Sequence, residues 1–373
     1  MEAVRGVRQW AAIGVGTALL CATPALIGLR PAGAAKASPA ELLQKIRTSA
    51  PVGYSGLAES RGSLGLPSLP RLGALDDLLS GTIRSRVWYA GPDRYRVDRL
   101  TPIGEEDTVR DRTGSWSWSA ERRIARRVPG KPALRLPEPY DLLPPELARR
   151  LAAPATRAEL RALPPRRIAG RSVAGLRILP AGPTTLGRVD IWADPRTGVA
   201  FRVEVSGRGA TVPTVTSRFL DVRLGPSGHA TASFDPPPDA QIDVDETPDL
   251  VATIDRFSPY QLPTRVGGLP RSDRVRGLQG GAATYGDGYA LLAVLPLQDR
   301  LASSLLDRLA APTGQPVTIP GARAAAVVTQ LLGTLLVVGR EQSFLIAGTV
   351  PLATLVRAAN DLTRTALPLR TNP

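Results

Sequence analysis

TIRSRVWYAGPDRYRVD, residues 82–98, carries the clearest strand pattern in the chain. Apolar and polar residues alternate with a period of two on both sides of Gly91-Pro92-Asp93, and that trio is turn chemistry, so the segment reads as two hairpin strands. On the first strand Ile83, Val87 and Tyr89, with the small Ser85, share one face and oppose Arg84, Arg86 and Trp88. On the second, Tyr95 and Val97 oppose Arg94, Arg96 and Asp98. One face is oily and the other charged, so the hairpin covers an apolar layer on one side and meets water on the other.

The pattern spreads outward from there. GRVDIWADPRTGVAFRVEV, residues 187–205, repeats it, with Val189 and Ile191, then Val199, Phe201, Val203 and Val205 as the apolar sets around the turn Asp194-Pro195-Arg196-Thr197-Gly198. Further strands are expected over 52–59, 107–111, 115–119, 122–128, 176–179 and 215–224. Short strands with Gly and Pro turns at this density spell a curved antiparallel sheet. Ser38-Pro39-Ala40-Glu41 is a capping box that opens a short helix with Leu42, Leu43, Ile46 and Ala50 on one stripe. A second short helix is expected over 146–152, after turns at Pro137, Pro139 and Pro144-Pro145, and 164–171 reads as a basic loop.

Residues 236–259, rich in Pro and acidic at Asp239, Asp243, Asp245, Glu246 and Asp249, read as a stiff linker between a first domain (38–235) and a second (260–373). The second domain is expected to hold a strand (289–297), a helix (298–310), strands over 325–338 (split at Gly333) and 343–347, and a closing helix begun at Pro351. Its apolar run 324–339 is too short and too broken by Thr329-Gln330 and Gly333 to read as a membrane span.

Residues 1–37 have the plan of an export signal: Arg5 and Arg8, an uncharged apolar run over 11–29, then small residues at Ala32-Gly33-Ala34 and Ala35-Lys36-Ala37. The run is near the length that spans a bilayer, so cleavage and retention as an anchor both stand as readings, and either places the remainder outside the cytoplasm. Cys21 is the only cysteine. Leu20 is not the small residue that precedes a lipidated cysteine, and beyond residue 37 no thiol is left for a disulfide or a metal. The formal charge of +14 is carried almost wholly by arginine, and mean hydropathy is -0.04. That charge fits a GC-rich coding bias; it also fits attraction to an anionic membrane surface or wall polymer.

Catalytic chemistry has little to stand on. His229 is the only histidine and sits in a Gly-His-Ala turn, which leaves no triad and no two-histidine metal site. No phosphate loop with lysine occurs, and Glu105-Glu106-Asp107 reads as solvated acids on a turn. The acidic linker lacks the glycine and terminal glutamate of a calcium loop. No enzyme activity, metal or cofactor is expected. Export argues against nucleic acid, so Arg122-Arg123, Arg126-Arg127, Arg149-Arg150 and Arg166-Arg167 read as contacts for acidic lipids or an acidic partner, or as surface charge.

If the sheet curls, Ile83, Val87, Tyr89, Tyr95, Val97, Trp116, Trp118, Val189, Ile191, Phe201 and Val203 line its hollow, which either a helix or a ligand fills. Leu64, Leu66, Leu69, Leu72 and Leu75, in a Gly/Pro/Ser-rich stretch, form a lid over that hollow or tuck beneath the sheet. An acyl chain gains about 0.8 kcal/mol per buried CH₂, enough for useful affinity without specific polar contacts.

The segments RVWYAGPDRYRVD, the Trp-bearing strand at 114–119 and IWADPRTGVAFRVEV together resemble the LolA/RseB group of bacterial envelope proteins, over roughly residues 38–235. LLVVGREQSFLIAGTVPLATLVRAANDL, residues 335–362, is similar to the small C-terminal domain of the RseB-like branch. The resemblance implies an α+β chain: a curved antiparallel half-barrel with helices in its hollow, then a smaller α+β domain. It further implies a non-enzymatic sensor of lipid or lipoprotein acyl chains that binds the ectodomain of a membrane anti-sigma factor and so regulates an extracytoplasmic sigma factor. The alternative it implies is a carrier of lipids or lipoproteins through the envelope. Adhesion to the wall through arginine charge is a third reading.

Overall fold

The structure, a computed structural model, describes residues 37–64, 80–102, 104–130, 137–226, 234–244, 258, 260–272, 281–309 and 314–364. The first sheet is built from β1 (Tyr54–Gly62), β2 (Thr82–Gly91), β3 (Arg94–Leu100), β4 (Glu105–Asp111), β5 (Gly114–Ser119), β6 (Ile124–Pro129), β7 (Leu160–Ile168), β8 (Arg171–Ile178), β9 (Leu186–Ala193), β10 (Ala200–Gly207), β11 (Val215–Leu224) and β12 (Gln241–Val244). Its twelve strands run β12-β6-β5-β4-β3-β2-β1-β11-β10-β9-β8-β7 and do not close. Every neighbouring pair is antiparallel except β12, which lies parallel to β6. This is the open antiparallel sheet that the alternation implies, with helices on one face as in the half-barrel that the resemblance implies.

Those helices are α1 (Pro39–Arg47) and α2 (Pro144–Ala152). The capping box forms: Ser38 Oγ accepts from Glu41 N at 3.3 Å and Glu41 Oε2 accepts from Ser38 N at 3.1 Å. Leu42, Leu43 and Ile46 then bury against Leu176, Ile178, Val189 and Ile191 of the sheet, with Ala148 and Ala152 of α2 beside them. The β9–β10 turn grips α1. Asp194 Oδ1 accepts from the backbone of Arg196 and Thr197, each at 2.9 Å, and Lys45 donates to the Pro195 carbonyl. Gly198 has φ +73, and a Cβ there would fall 2.2 Å from the Lys45 backbone, so both its conformation and its surroundings demand glycine.

Three segments differ from the sequence expectation. Glu105-Glu106-Asp107, expected as solvated acids on a turn, open the strand β4, and Asp107 is buried there against Arg96. Residues 164–171, expected as a loop, are the end of β7, a two-residue turn at Ala169-Gly170, and the start of β8; a bulge between Leu163 and Arg166 absorbs Pro164-Pro165. Prolines fit here because β7 is an edge strand with no outer ladder to break. In the acidic segment, Gln241–Val244 is not free chain but the strand β12.

The second sheet comprises β13 (Arg265–Val266), β14 (Leu269–Ser272), β15 (Ala283–Tyr285), β16 (Leu292–Leu297), β17 (Gln315–Pro316), β18 (Arg323–Val328), β19 (Gly333–Val338) and β20 (Ser343–Gly348), in the order β13-β14-β15-β16-β20-β19-β18-β17. α3 (Asp299–Leu309) and α4 (Leu352–Arg364) cover it. The strands β13 to β15 add to the expected strand–helix–strand–strand–helix order, and the 324–339 run is indeed split, into β18 and β19. Among the described residues no helix is long and apolar enough to cross a membrane.

The two sheets dock through main chain. The hydroxyl of the fully buried Thr184 lies 2.9 Å from both the Tyr289 and the Thr349 carbonyl oxygens, which share its one proton. Thr185 N donates to Thr349 O at 2.9 Å and its hydroxyl to Leu331 O at 2.6 Å. Tyr289 reaches across to donate to the Leu151 carbonyl at 2.5 Å, and its ring joins the α1/α2 core.

Candidate functional site

Ladder register decides which side chains enter the hollow. The rows Tyr54–Tyr89–Tyr95 and Gly56–Val87–Val97 run across β1, β2 and β3 on the helix-covered face. Ile83, Val87, Tyr89, Tyr95, Val97, Val189, Ile191, Phe201 and Val203 are all buried. Val87, Tyr89, Tyr95, Val97 and Phe201 gather in one cluster; Val189, Ile191 and Val203 pack under α1 and α2; Ile83 meets Leu142.

Trp116 and Trp118, expected in the hollow, point the other way. Val97 pairs with Thr108 and Thr108 with Ser117, so the serines of β5 share the helix-covered face and the tryptophans stand on the outer one. There Phe234 packs on both indoles, with ring centroids 5.6 and 6.0 Å away, and Arg127 lies over Trp116 at 5.0 Å. Trp88, also on the outer face, sits under Arg96 at 5.7 Å. Of the lid leucines, Leu64 is partly buried against the α1/α2 core; Leu66, Leu69, Leu72 and Leu75 lie outside the described residues.

A segment that sequence reasoning passed over fills the hollow. The short 3-10 turn Pro139–Leu142, followed by α2, inserts Tyr140. Its ring stacks on Tyr95 at 3.9 Å and 5° and lies 6.3 Å from Tyr89, which stacks in turn on Tyr54 at 4.7 Å. Arg149 of α2 lies over Tyr89 at 5.6 Å. The plug is held by ions: Glu146 accepts from the Tyr140 hydroxyl at 2.9 Å, from Arg149 at 2.6 Å and from Arg150 at 2.9 Å, and Arg150 reaches Asp141 at 2.5 Å. Burial alone would raise the Glu146 carboxyl, but the two guanidiniums overrule it and hold it below its usual value. Burial, reinforced by the Glu146 charge, pushes the Tyr140 phenol well up. The Tyr54 hydroxyl is buried and has no hydrogen-bond partner among the described residues. The signal for this plug was a lone tyrosine between Pro139 and Pro144-Pro145, a motif that carries no periodicity.

Beyond Tyr95 the same face turns polar. Arg99, Glu106, Ser117, Ser119, Arg122 and Arg126 line a cleft of about 270 Å³ whose far wall is Pro137–Pro139. Arg99 and Arg122 both pair with Glu106, the latter at 3.2 Å. Among the described residues one trio of acids stands close enough to share a cation, Asp98, Glu105 and Asp107 on the outer face, but Arg96 already occupies it, at 2.6 Å from Asp98 and 2.9 Å from Asp107. The site thus joins an aromatic hollow, a short segment that fills it and a basic cleft at its mouth.

No family model and no curated protein matches the chain. Among solved structures it is similar to MucB in complex with MucA(peri), at 14% identity over 86% of this chain and 97% of that one, with a TM-score of 0.46. It is similar also to the Pseudomonas aeruginosa MucA/MucB complex, at 15% identity, 90% and 100% coverage and a TM-score of 0.47. A LolA superfamily protein from Nitrosomonas europaea matches at 12% identity over 54% of this chain and 99% of its own, with a TM-score of 0.24.

Proposed function

We propose that this chain is an exported, non-catalytic sensor. It holds the ectodomain of a membrane anti-sigma factor, and releases it when the acyl chain of an anionic lipid or lipoprotein enters the half-barrel. The observation that carries this reading is the plug: the hollow is lined with aromatic and aliphatic side chains but closed by Tyr140 on a separate short segment. Two states of similar packing are thereby available, one with Tyr140 inside and one with a guest in its place, and a ligand that prefers the second shifts the population toward it. Each buried CH₂ of the guest contributes about 0.8 kcal/mol toward displacing the ring. Arg99, Arg122 and Arg126 would face the anionic head. A carrier that stays loaded in transit is less well served by a hollow that its own tyrosine fills at rest.

The test is reconstitution of the mature chain with the outer segment of the anti-sigma factor from the same genome, followed by calorimetry with and without lysophosphatidylglycerol. The expected result is a complex that the lipid weakens at least tenfold, with Arg99→Ser and Arg122→Ser variants that still form it but respond less. A complex indifferent to lipid, or none at all, overturns the proposal.

A further inference from the structure

The strand β12 is an unusual partner for the sheet edge it covers. It pairs with β6 through Gln241–Ile124, Ile242–Ala125, Asp243–Arg126 and Val244–Arg127, in the only parallel pairing of the first sheet, and parallel ladders are slightly weaker per residue. None of its side chains is buried: Ile242 is 55% and Val244 56% exposed. What holds it is main-chain hydrogen bonding, including Gln241 N to the Arg123 carbonyl at 2.9 Å, and charge. Asp239 pairs with Arg123, and both side chains are more than half exposed, so screening keeps that pair weak. Asp243 stands in register beside Arg126. β6 and the turn before it carry Arg122, Arg123, Arg126 and Arg127, whereas β12 and its flanks read DAQIDVDE over 239–246.

An element with no buried side chain and one short ladder opens at small cost. Opening it bares an arginine-lined edge with unpaired backbone groups, the geometry that takes up an extended peptide as an added strand. We infer that the β6 edge is a docking rail for an acidic, extended segment of a partner protein, and that β12 occupies it in cis until that segment displaces it. The cis strand itself states the chemistry of the occupant: extended, with carboxylates four residues apart, one paired with Arg123 and the other in register with Arg126. The inference does not depend on the hollow taking an acyl chain, because β6 lies beyond the aromatic cluster.

The test uses the mature chain and a fluorescein-labelled peptide DAQIDVDE. The two-residue period of the ladder turns residues 241 and 243 toward β6, so the double variant Q241P/D243P removes the donors that seat β12 while touching no core residue. Anisotropy is expected to show the peptide binding the double variant at least tenfold more tightly than the wild type, since the cis strand no longer competes. Arg126→Glu in the same background, or lysine in place of the peptide's aspartates, should abolish it. Hydrogen exchange of the β6 amides verifies that the edge is bare, and D239K/D243K serves as a second way to release it. Equal peptide binding by wild type and released variants overturns the inference. So does binding that ignores peptide charge, or loss of peptide to phosphatidylglycerol vesicles at matched charge, which would assign the arginines to a membrane.

Discussion

Asp107 faces Asp98 across the β3–β4 ladder, and both carboxylates rest on the one guanidinium of Arg96. Burial first, then the charge of Asp98, push the Asp107 carboxyl up to about 6, with Arg96 only partly opposing them. A carboxyl that holds its proton more tightly when folded adds stability at pH values below its unfolded pKa and loses that contribution as pH climbs toward 6. At pH 7 the charged Asp107 is therefore a local liability. Asp107→Asn is expected to raise Tm at pH 7 by about 2–4 °C, with the gain fading by about pH 4. Equal melting curves of the two proteins at pH 7 would refute this account of the cluster.

The 3-10 turn and α2 act as one insert whose energy is concentrated in Tyr140. Truncating it removes two ring contacts and the bond to Glu146, so Tyr140→Ala is expected to destabilise the protein by about 3 kcal/mol in urea titration. It should also increase uptake of a fluorescent fatty acid, because the ring's place is left to a guest; a variant that loses stability without gaining uptake would mean the hollow collapses instead. Elements such as β2 and β3 were legible because alternation names each strand's two faces. It does not name which face of one strand continues which face of the next, and a slip of one residue exchanges them. The aromatic size of Trp116 and Trp118 argued for the inside, yet the pairing Val97–Thr108–Ser117 turned the serines inward. β7 and β12 were missed for a different reason: proline in one and acidity in the other are loop signals, and only the sheet edge makes them strands.

At the scale of the molecule, the contact between the sheets was not legible at all, because most of its acceptors are backbone carbonyls, which any sequence possesses. Its side-chain donors are Thr184, Thr185, Thr214 and Tyr289. Thr184→Val keeps the shape but removes the one hydroxyl proton shared by the Tyr289 and Thr349 carbonyls, which keep Thr349 Oγ1 and Thr185 N as their other donors, at about 1 kcal/mol. The expected outcome is that one calorimetric transition resolves into two, one for each sheet with its helices; a single transition at an unchanged Tm would refute this. Gly207→Ala attacks the same seam sterically: a Cβ there would lie 2.5 Å from the Gln330 carbonyl oxygen. Small-angle scattering should show a larger radius of gyration for this variant, and an unchanged profile would mean that the seam yields without parting.

The turning-out of the tryptophans divides the chromophores of the first domain. Trp88, Trp116 and Trp118 occupy the outer surface, and Trp192 lies beneath the folded-over β7, its Nε1 donating to Pro164 O at 3.1 Å and Arg166 above its ring at 3.9 Å. The phenols of Tyr54, Tyr89, Tyr95 and Tyr140 hold the interior of the hollow. Three of these four indoles thus gauge what touches the exterior of the half-barrel, while Trp192, buried in the same cluster as the phenols, reports with them on what enters it; a Trp192→Phe background separates the two events in one unlabelled sample.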